Sequence, residues 1–588
     1  MKKNSTRVLC LIIALLLGLA SISGCSSKNA GDNPSTSAGP TQAAASSGGA
    51  VNGREELAAM EPIEFTVFRP DPSMKIPPEN APILQQVYDK TKVKIKFDIP
   101  PADAIEYLNI KLAASDYPDI IEFPNYDTMG KYINAGHLIP LDGLLDKYGT
   151  VLKTNLGPIL NRLRSEADGK IYYLPGRYRI NGVDQFPETG NNFNIRSDFL
   201  EKKGWYKPQT LEDYENLLKE IKAQDPKIIP VSFALGGGSG GDISTLTRIA
   251  VSASGLAYSG GSGEFVNLIK QDDDTLGFAY KNESVRDFYK WLNKLHIEGL
   301  LDKEAPVLTM DALKTKSAAG KVASVIGDFW SAPAEANNYF ESKNMNQLFY
   351  YFFLKANQNV QKVTYAAYSL AYNYGYGITD KCKDPERLIK FINYLNTEDG
   401  FNAMHGITNF DGEDKEGYDF YVDKNQGNAI FPTKWFSDQI AKDENFGASR
   451  GFMTLLGFGF AMSNVPGGKY DYIKVEEDVG AWDSDTMKKV KAGFGVKGTD
   501  YFPMMRDMSI DVTEITGFPL QPESDEGIIK AKIDDYIFKT VPKLIVAESE
   551  ADFNLAYDDF LAKLDKMGLE KWITKMNELY KARKELWK

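Results

Sequence analysis

Ser239 stands in the run Gly237-Gly238-Ser239-Gly240-Gly241, a formal match to the G-x-S-x-G turn that presents a nucleophilic serine in hydrolases. Such a serine needs a base, and the chain holds only His137, His296 and His405. His296 lies between Leu295 and Ile297 in a helical apolar pattern, and His137 precedes Leu138-Ile139-Pro140 in a loop. With glycine also at 236, composition alone meets the serine pattern. Cys382 has no histidine near it in sequence and is followed by a helix start, Asp384-Pro385-Glu386, so it reads as a packing residue. The chain has 80 Asp and Glu, but no spacing fixes two carboxyls at the ~5–9 Å that glycoside cleavage requires. The nucleophiles and bases therefore favour a binding protein over an enzyme.

A different cysteine has chemistry assigned by its surroundings. Lys2, Lys3 and Arg7 form a positive leader, Val8 to Ala20 an apolar run, and Ile22-Ser23-Gly24 precede Cys25. That is a secretory signal ending at a lipid-attachment cysteine, and the pattern resembles the bacterial lipobox. The run is about 13 residues, short of the ~20 that span a bilayer as a helix. Residues 1–24 are expected to be removed and Cys25 acylated. The stretch 25–58 is then a tether, since Ser, Ala, Gly, Asn, Thr and Pro supply too little apolar surface to offset ordering entropy. About 30 such residues reach on the order of 30 Å. The expected location is the cell membrane, lipid-anchored on the extracellular face.

Charge and cysteine content bound the rest. Lys and Arg number 68 against 80 acids, a net −12, and loss of the leader's three cations takes it to about −15. No clustered basic run offers phosphate binding, so a nucleic-acid partner is not expected. With Cys10 in the leader and Cys25 acylated, no disulfide is available to the folded part, which must rely on its core. No EF-hand spacing follows Asp225-Pro226 or lies in Asp411-Gly412-Glu413-Asp414, so no calcium is implied there and no metal or cofactor is assigned; no P-loop and no set of membrane spans is present either.

Periodicity places the elements. Ile63, Phe65 and Val67 alternate with Glu64, Thr66 and Phe68; a helix follows with Ile83, Leu84, Val87 and Tyr88 on one face. Val93, Ile95 and Phe97 alternate again, Ile105, Leu108 and Leu112 mark a second helix, and Asp119 to Phe123 a third strand. This β-α-β-α-β order predicts an α/β fold with a mostly parallel sheet, and ligands sit beyond the carboxyl ends of such strands. The loops after Phe68 and Phe123 bring Arg69, Tyr126 and Asp127. Arg177, Tyr178 and Arg179 follow a Pro-Gly turn, and the strand KVASVIG at 321–327 delivers Asp328 and Trp330. Trp435 and Trp482 lie in polar, glycine-containing sequence, unlike Trp291, Trp572 and Trp587, which fall in helical patterns. Thr210 and Asp213 form a capping box for a helix with Tyr214, Leu217, Leu218 and Ile221 at core spacing.

The run NIRSDFLEKKGWYKPQTLEDYENLLKEIKAQDP at 194–226 resembles the large bacterial extracellular solute-binding lipoproteins of family 1, the receptors of carbohydrate ABC importers. The resemblance continues through YLNIKLAASDYPDII at 107–121, YKWLNKLHIEGLLDKE at 289–304, KCKDPERLIKFINYLNTEDG at 381–400 and the terminal helices. It implies a two-lobed periplasmic-binding-protein-like (type II) fold over 59–588, each lobe a mostly parallel sheet flanked by helices, with extra C-terminal helices. Lobe one would be 59–180 plus 365–420, and lobe two 181–364 plus much of 421–588. The implied ligand is a saccharide held between lobes, with candidate contacts Arg69, Tyr126, Asp127, Arg177, Tyr178, Asp328, Trp330, Trp435 and Trp482. Flat rings cover sugar C–H patches, and Asp, Asn and Arg pair with hydroxyls. The implied partners are the permease and ATPase subunits of an importer, with the receptor itself a monomer. A sugar-sensing receptor subunit or a carbohydrate-cleaving lipoprotein would carry similar sequence. Alginate-type members hold a calcium loop after the position of Asp225-Pro226; here Lys227-Ile228-Ile229-Pro230 follows directly.

Overall fold

Phe65, Val67 and Phe68 are fully buried, and the strand they form is the middle of the first sheet. The computed structural model describes residues 55–588 apart from 73, 166–167, 179–185, 188–191, 237–240, 260–266, 330, 369–374, 410–412, 424–428, 444, 452–454, 456–459, 462–483, 497–506 and 519. The leader, Cys25 and most of the tether lie outside the described residues.

The chain runs β1 (Ile63–Phe68), α1 (Pro82–Thr91), β2 (Val93–Asp98), α2 (Ala104–Ala114), β3 (Ile120–Glu122), α3 (Tyr126–Asn134) and β4 (Tyr173–Leu174). Two short strands, β5 (Arg177–Tyr178) and β6 (Phe186–Pro187), lead to β7 (Asn192–Arg196). Then come α4 (Leu211–Gln224), β8 (Ile229–Ser232), α5 (Gly241–Ala253), α6 (Glu283–Ile297), β9 (Val322–Gly327), β10 (Phe349–Phe352) and β11 (Tyr365–Tyr368). The chain returns through β12 (Tyr376–Ile378), α7 (Pro385–Leu395), α8 (Lys434–Lys442), β13 (Phe460–Ala461) and β14 (Ser509–Asp511). It ends in three helices, α9 (Asp525–Ile545), α10 (Glu550–Lys566) and α11 (Leu569–Leu586).

Buried side chains divide into two cores. One draws on 57–174 and 376–455, the other on 193–366 and 490–580. The main chain therefore passes between cores three times, and the passing segments hydrogen-bond to one another: β5 pairs with β13, and β6 pairs with β11, which also pairs with β14.

The first sheet has strand order β2-β1-β3-β12-β4, with β1, β2 and β3 parallel and β12 antiparallel to both neighbours. The second has order β10-β7-β9-β8, with β9 parallel to β8 and antiparallel to β7. Both sheets are thus mixed, and the parallel character expected of each lobe is confined to β1–β3 and to the β8–β9 pair. The reason is topological. A strand that returns from the other lobe enters its sheet from the connecting end, opposite to a strand carried by a βαβ crossover.

Local chemistry explains the helices. Thr210 Oγ1 accepts from the Asp213 amide at 3.2 Å while Asp213 accepts from the Thr210 amide at 3.0 Å, the reciprocal box expected. On α10 Phe553, Tyr557, Phe560 and Leu564 are all fully buried against the second core, and Gly568 turns the chain at φ +102°. Each such large side chain contributes roughly 1.5–3 kcal/mol by leaving water. Trp291 and Trp572 pack in this core as the periodicity implies. Ile105, expected on the inner face of α2, is 37 % exposed; Leu108 alone of that set is buried. Strand β8 begins at Ile229, immediately after a turn in which Asp225 accepts from the Lys227 amide at 3.0 Å. Among the described residues no helix is long and apolar enough to cross a membrane.

Candidate functional site

Register puts the first half of the site on one row of the first sheet. Phe68 pairs with Ile121, so Arg69 stands level with Glu122; Glu122 in turn pairs with Tyr376, and Tyr376 with Leu174. The chain leaves this sheet after Leu174 and re-enters it just before Tyr376. The row is therefore at the end from which the crossing segments depart, which is also the carboxyl end of β1 and β3.

Arg69 Nε pairs with the Glu122 carboxylate, the arginine 17 % and the glutamate 4 % exposed. A charge this deep is tolerable only when paired, and here the pair is held from both strand ends. Beside it, Asn125 caps α3, its side chain accepting from the Thr128 amide at 2.8 Å. That cap starts the helix whose first residues are Tyr126 and Asp127, so both sit at the sheet's carboxyl end; their side chains lie outside the described residues. Arg177 and Tyr178 form β5, within the first crossing, and pair with Phe460 and Ala461 of the third. Their side chains too lie outside the described residues.

The second half is built on the other sheet. Gly327 ends β9 opposite Asn192, the residue at which the first crossing arrives. Gly327 has φ +140°, a backbone that side chains rarely adopt, and it lets the chain turn sharply into Asp328. The Asp328 carbonyl accepts from Ser331 Oγ at 2.7 Å, fixing the start of the next helix. Asp328, Gly327, Ser331, Thr245, Leu246 and Met310 are among the residues lining a cavity of about 40 Å³ at the carboxyl ends of β8 and β9. Trp330 and Trp482 lie outside the described residues.

Trp435 was expected beside the ligand. The structure sets it on α8, half-buried at the edge of the first core, where Phe446 meets its ring edge-on at 5.5 Å and the Arg450 guanidinium lies 5.3 Å from its centre. Its described contacts do not include Arg69, Glu122 or Asp328. Two residues of the site have no strong sequence signal. Glu122 reads as an ordinary strand residue, and Asn192 precedes the recognised motif; only its two-residue spacing from Asn194 hints at a shared strand face.

Among the described residues, the candidate nucleophile and bases are held by burial and packing. Burial pushes the Cys382 thiol up to about 12 and holds the fully buried His405 down at about 4, its Nδ1 2.8 Å from the Phe401 carbonyl. His137 leans on Tyr117 and lies 3.5 Å from Asp380. Ser239 lies outside the described residues. Among the described residues no group of His, Cys, Asp and Glu is arranged to hold a metal ion.

Comparison with known proteins places this architecture. The sequence matches the model of the family described as bacterial extracellular solute-binding protein over residues 76–400, more than half of the chain. The fructooligosaccharide ABC transporter substrate-binding protein FusA of Streptococcus pneumoniae is 28 % identical over 240 residues, 39 % of this chain and 43 % of that protein. Lipoprotein LipO of Bacillus subtilis is 24 % identical over 287 residues, 47 % of this chain and 52 % of that protein. The matched stretches thus span about half the length of these curated relatives. In structure, FusA in complex with kestose superposes with a TM-score of 0.58 at 21 % identity, covering 89 % of this chain and 100 % of that one. An HMO binding, ABC-transporter-associated solute-binding protein from Bifidobacterium longum infantis gives a TM-score of 0.63 at 16 % identity, covering 89 % and 99 %. At these identities the superpositions speak for the fold, a two-lobed type II binding protein. Two cores joined by three crossings, polar residues gathered at the connecting ends of both sheets, and a family model spanning most of both sheets lead to one conclusion: the chain belongs to the bacterial extracellular solute-binding proteins.

Proposed function

We propose that this protein is a lipid-anchored extracellular receptor that captures an oligosaccharide between its lobes and passes it to an ABC importer. The observation that carries this reading is the location of the polar residues. Arg69 and Glu122 on one sheet, and Asn192 and Asp328 on the other, all stand at the end to which a crossing segment attaches. A ligand touching both ends binds the approached lobes better than the separated ones, and that difference is what drives closure. Arg69, Tyr126 and Asp127 would form the wall from lobe one, Arg177 and Tyr178 the floor in the crossing, and Asp328 part of the opposite wall, with Trp330 and Trp482 kept as ligand candidates from the sequence alone. In this reading lobe one takes 59–180 together with the segment from Tyr376 to Leu455, since Phe420, Val422, Phe436 and Leu455 pack in its core while Tyr365 and Ala366 pack in the other. FusA is named for fructooligosaccharide and was solved with kestose, which supports the ligand class. LipO is named as a lipoprotein, which supports the anchor at Cys25.

The test is a thermal-shift and calorimetry panel on the chain lacking residues 1–25, using kestose, neutral gluco- and xylo-oligosaccharides and an oligo-uronate. A ligand at ~100 times its dissociation constant adds about 2.7 kcal/mol of stability. One neutral oligosaccharide is expected to raise the melting temperature with no release of reducing ends. Accumulating reducing ends would replace the receptor by a glycoside-cleaving enzyme, and silence across the panel would remove the carbohydrate reading.

A further inference from the structure

Strand β7 presents asparagines at 192 and 194, which share one face because side chains alternate along a strand. Their fates differ. Asn194 Nδ2 donates to the carbonyls of Val325 at 3.2 Å and Gly327 at 2.9 Å, tying β7 to the last turn of β9. Asn192, one step nearer the crossing, is fully buried, yet neither its Oδ1 nor its Nδ2 has a hydrogen-bond partner. Sheet pairing cannot supply one, because β9 ends at Gly327 directly opposite Asn192. A buried amide with both ends unpaired is costly, and such groups in folded proteins are few and generally have a reason.

We infer that Asn192 is a specificity-determining residue of the lobe-two half-site, its amide reading one hydroxyl of the bound saccharide as donor and acceptor together. This rests on the carbohydrate reading above. The chemistry is matched: a hydroxyl donates once and accepts, and a primary amide does both within one plane. The position is matched as well. Asn192 pairs with Gly327, which with Asp328 lines the 40 Å³ cavity, and it begins the strand at the end to which the first crossing attaches. A site built to pair a hydroxyl rejects an analogue lacking it, because its own polar atoms are then left unpaired.

The experiment compares wild type with Asn192→Leu and Asn192→Ser, reading melting temperature without sugar and calorimetric affinity for kestose and the neutral trisaccharides of the panel. Asn192→Leu replaces the amide by an apolar group of similar size; its melting temperature is expected to hold or rise while saccharide affinity falls 10- to 100-fold. Asn192→Ser, which keeps a donor and acceptor and folds if leucine does not fit, is expected to lose less affinity. Deoxygenating each sugar hydroxyl in turn should reveal one position whose loss weakens wild type but not Asn192→Leu. Unchanged affinity in both variants overturns the inference, and a lowered melting temperature with unchanged affinity assigns the amide to a buried water instead. If wild type binds no saccharide, the carbohydrate reading fails first, and this inference with it.

Discussion

Arg162 Nη1 lies 2.7 Å from Asp511 Oδ2, and its guanidinium lies 5.6 Å from the centre of the Trp587 ring. Arg162 stands in the 3-10 turn Gly157–Leu163 of the first core, whereas Asp511 is in β14, which pairs with the crossing strand β11, and Trp587 follows the last helix. Among the described side chains this is an ion pair that ties one lobe to the other beside the crossings.

The strength of that tie should be modest and salt-sensitive. Both partners are about a quarter to a third exposed, so the pair belongs with the weaker ion pairs. A double-mutant cycle of Arg162→Ala and Asp511→Ala, read by urea denaturation, is expected to give a coupling of about 0.5–1 kcal/mol at low ionic strength. In 1 M salt, where screening acts within ~3 Å, it should fall toward zero.

Arg583 should behave differently, because it is 1 % exposed and its guanidinium donates to the carbonyls of Thr516 at 2.6 Å and Gly517 at 2.9 Å while lying 4.2 Å from the centre of the Phe518 ring. Truncation to alanine strips one buried and one partly buried carbonyl of a charged donor, each such bond contributing about 1.5–3 kcal/mol. A loss of about 3 kcal/mol or more is expected by chemical denaturation. Lysine should recover less than half, since one ammonium cannot reproduce the planar fork.

Under the proposed function, substitutions at the Arg69–Glu122 pair should separate binding from stability. Arg69→Ala leaves Glu122 buried without its cation and should cost about 3–5 kcal/mol, whereas the double variant Arg69→Met, Glu122→Gln should regain most of it. Saccharide affinity, measured by calorimetry, is expected to stay at least tenfold down in both. Recovery of affinity along with stability would make the pair structural only.

Stability should also fall in mild acid. His405 is buried with its pKa held at about 4, below the ordinary ~6.5 that it regains on unfolding. Between those values the unfolded chain binds the additional proton, so the folded state weakens by up to about 1.4 kcal/mol per pH unit as pH drops from 6.5 to 4. Above 6.5 the group contributes nothing to the slope. His405→Gln should flatten that part of the profile in pH-dependent denaturation.

Local order was legible where local physics decides it. The alternation at 63–68 and 93–98, the box at Thr210 and Asp213 and the strand ending before Asp328 all appear as the spacing predicts. What escaped is non-local. The antiparallel return of Tyr376–Ile378 is set by which lobe the chain comes from, and nothing within three residues records that. Glu122 looks like any strand acid until Arg69 is placed level with it, 53 residues earlier in sequence. Trp435 lies in polar, glycine-containing sequence without a long apolar period, and its packing against Phe446 and Arg450 comes through a turn that periodicity does not foresee.

In the proposed receptor, the row Arg69–Glu122–Tyr376–Leu174 would assign recognition and the anchorage of the crossing segments to the same few residues. A receptor so wired cannot retune its palate in isolation. If the row grips the ligand as proposed, a substitution that reshapes that grip would also alter the anchorage of the crossing segments, so a lineage drifting toward a new ligand would drift in its opening rate as well. Compensating changes should then accumulate in those segments themselves, far from any atom of the cargo.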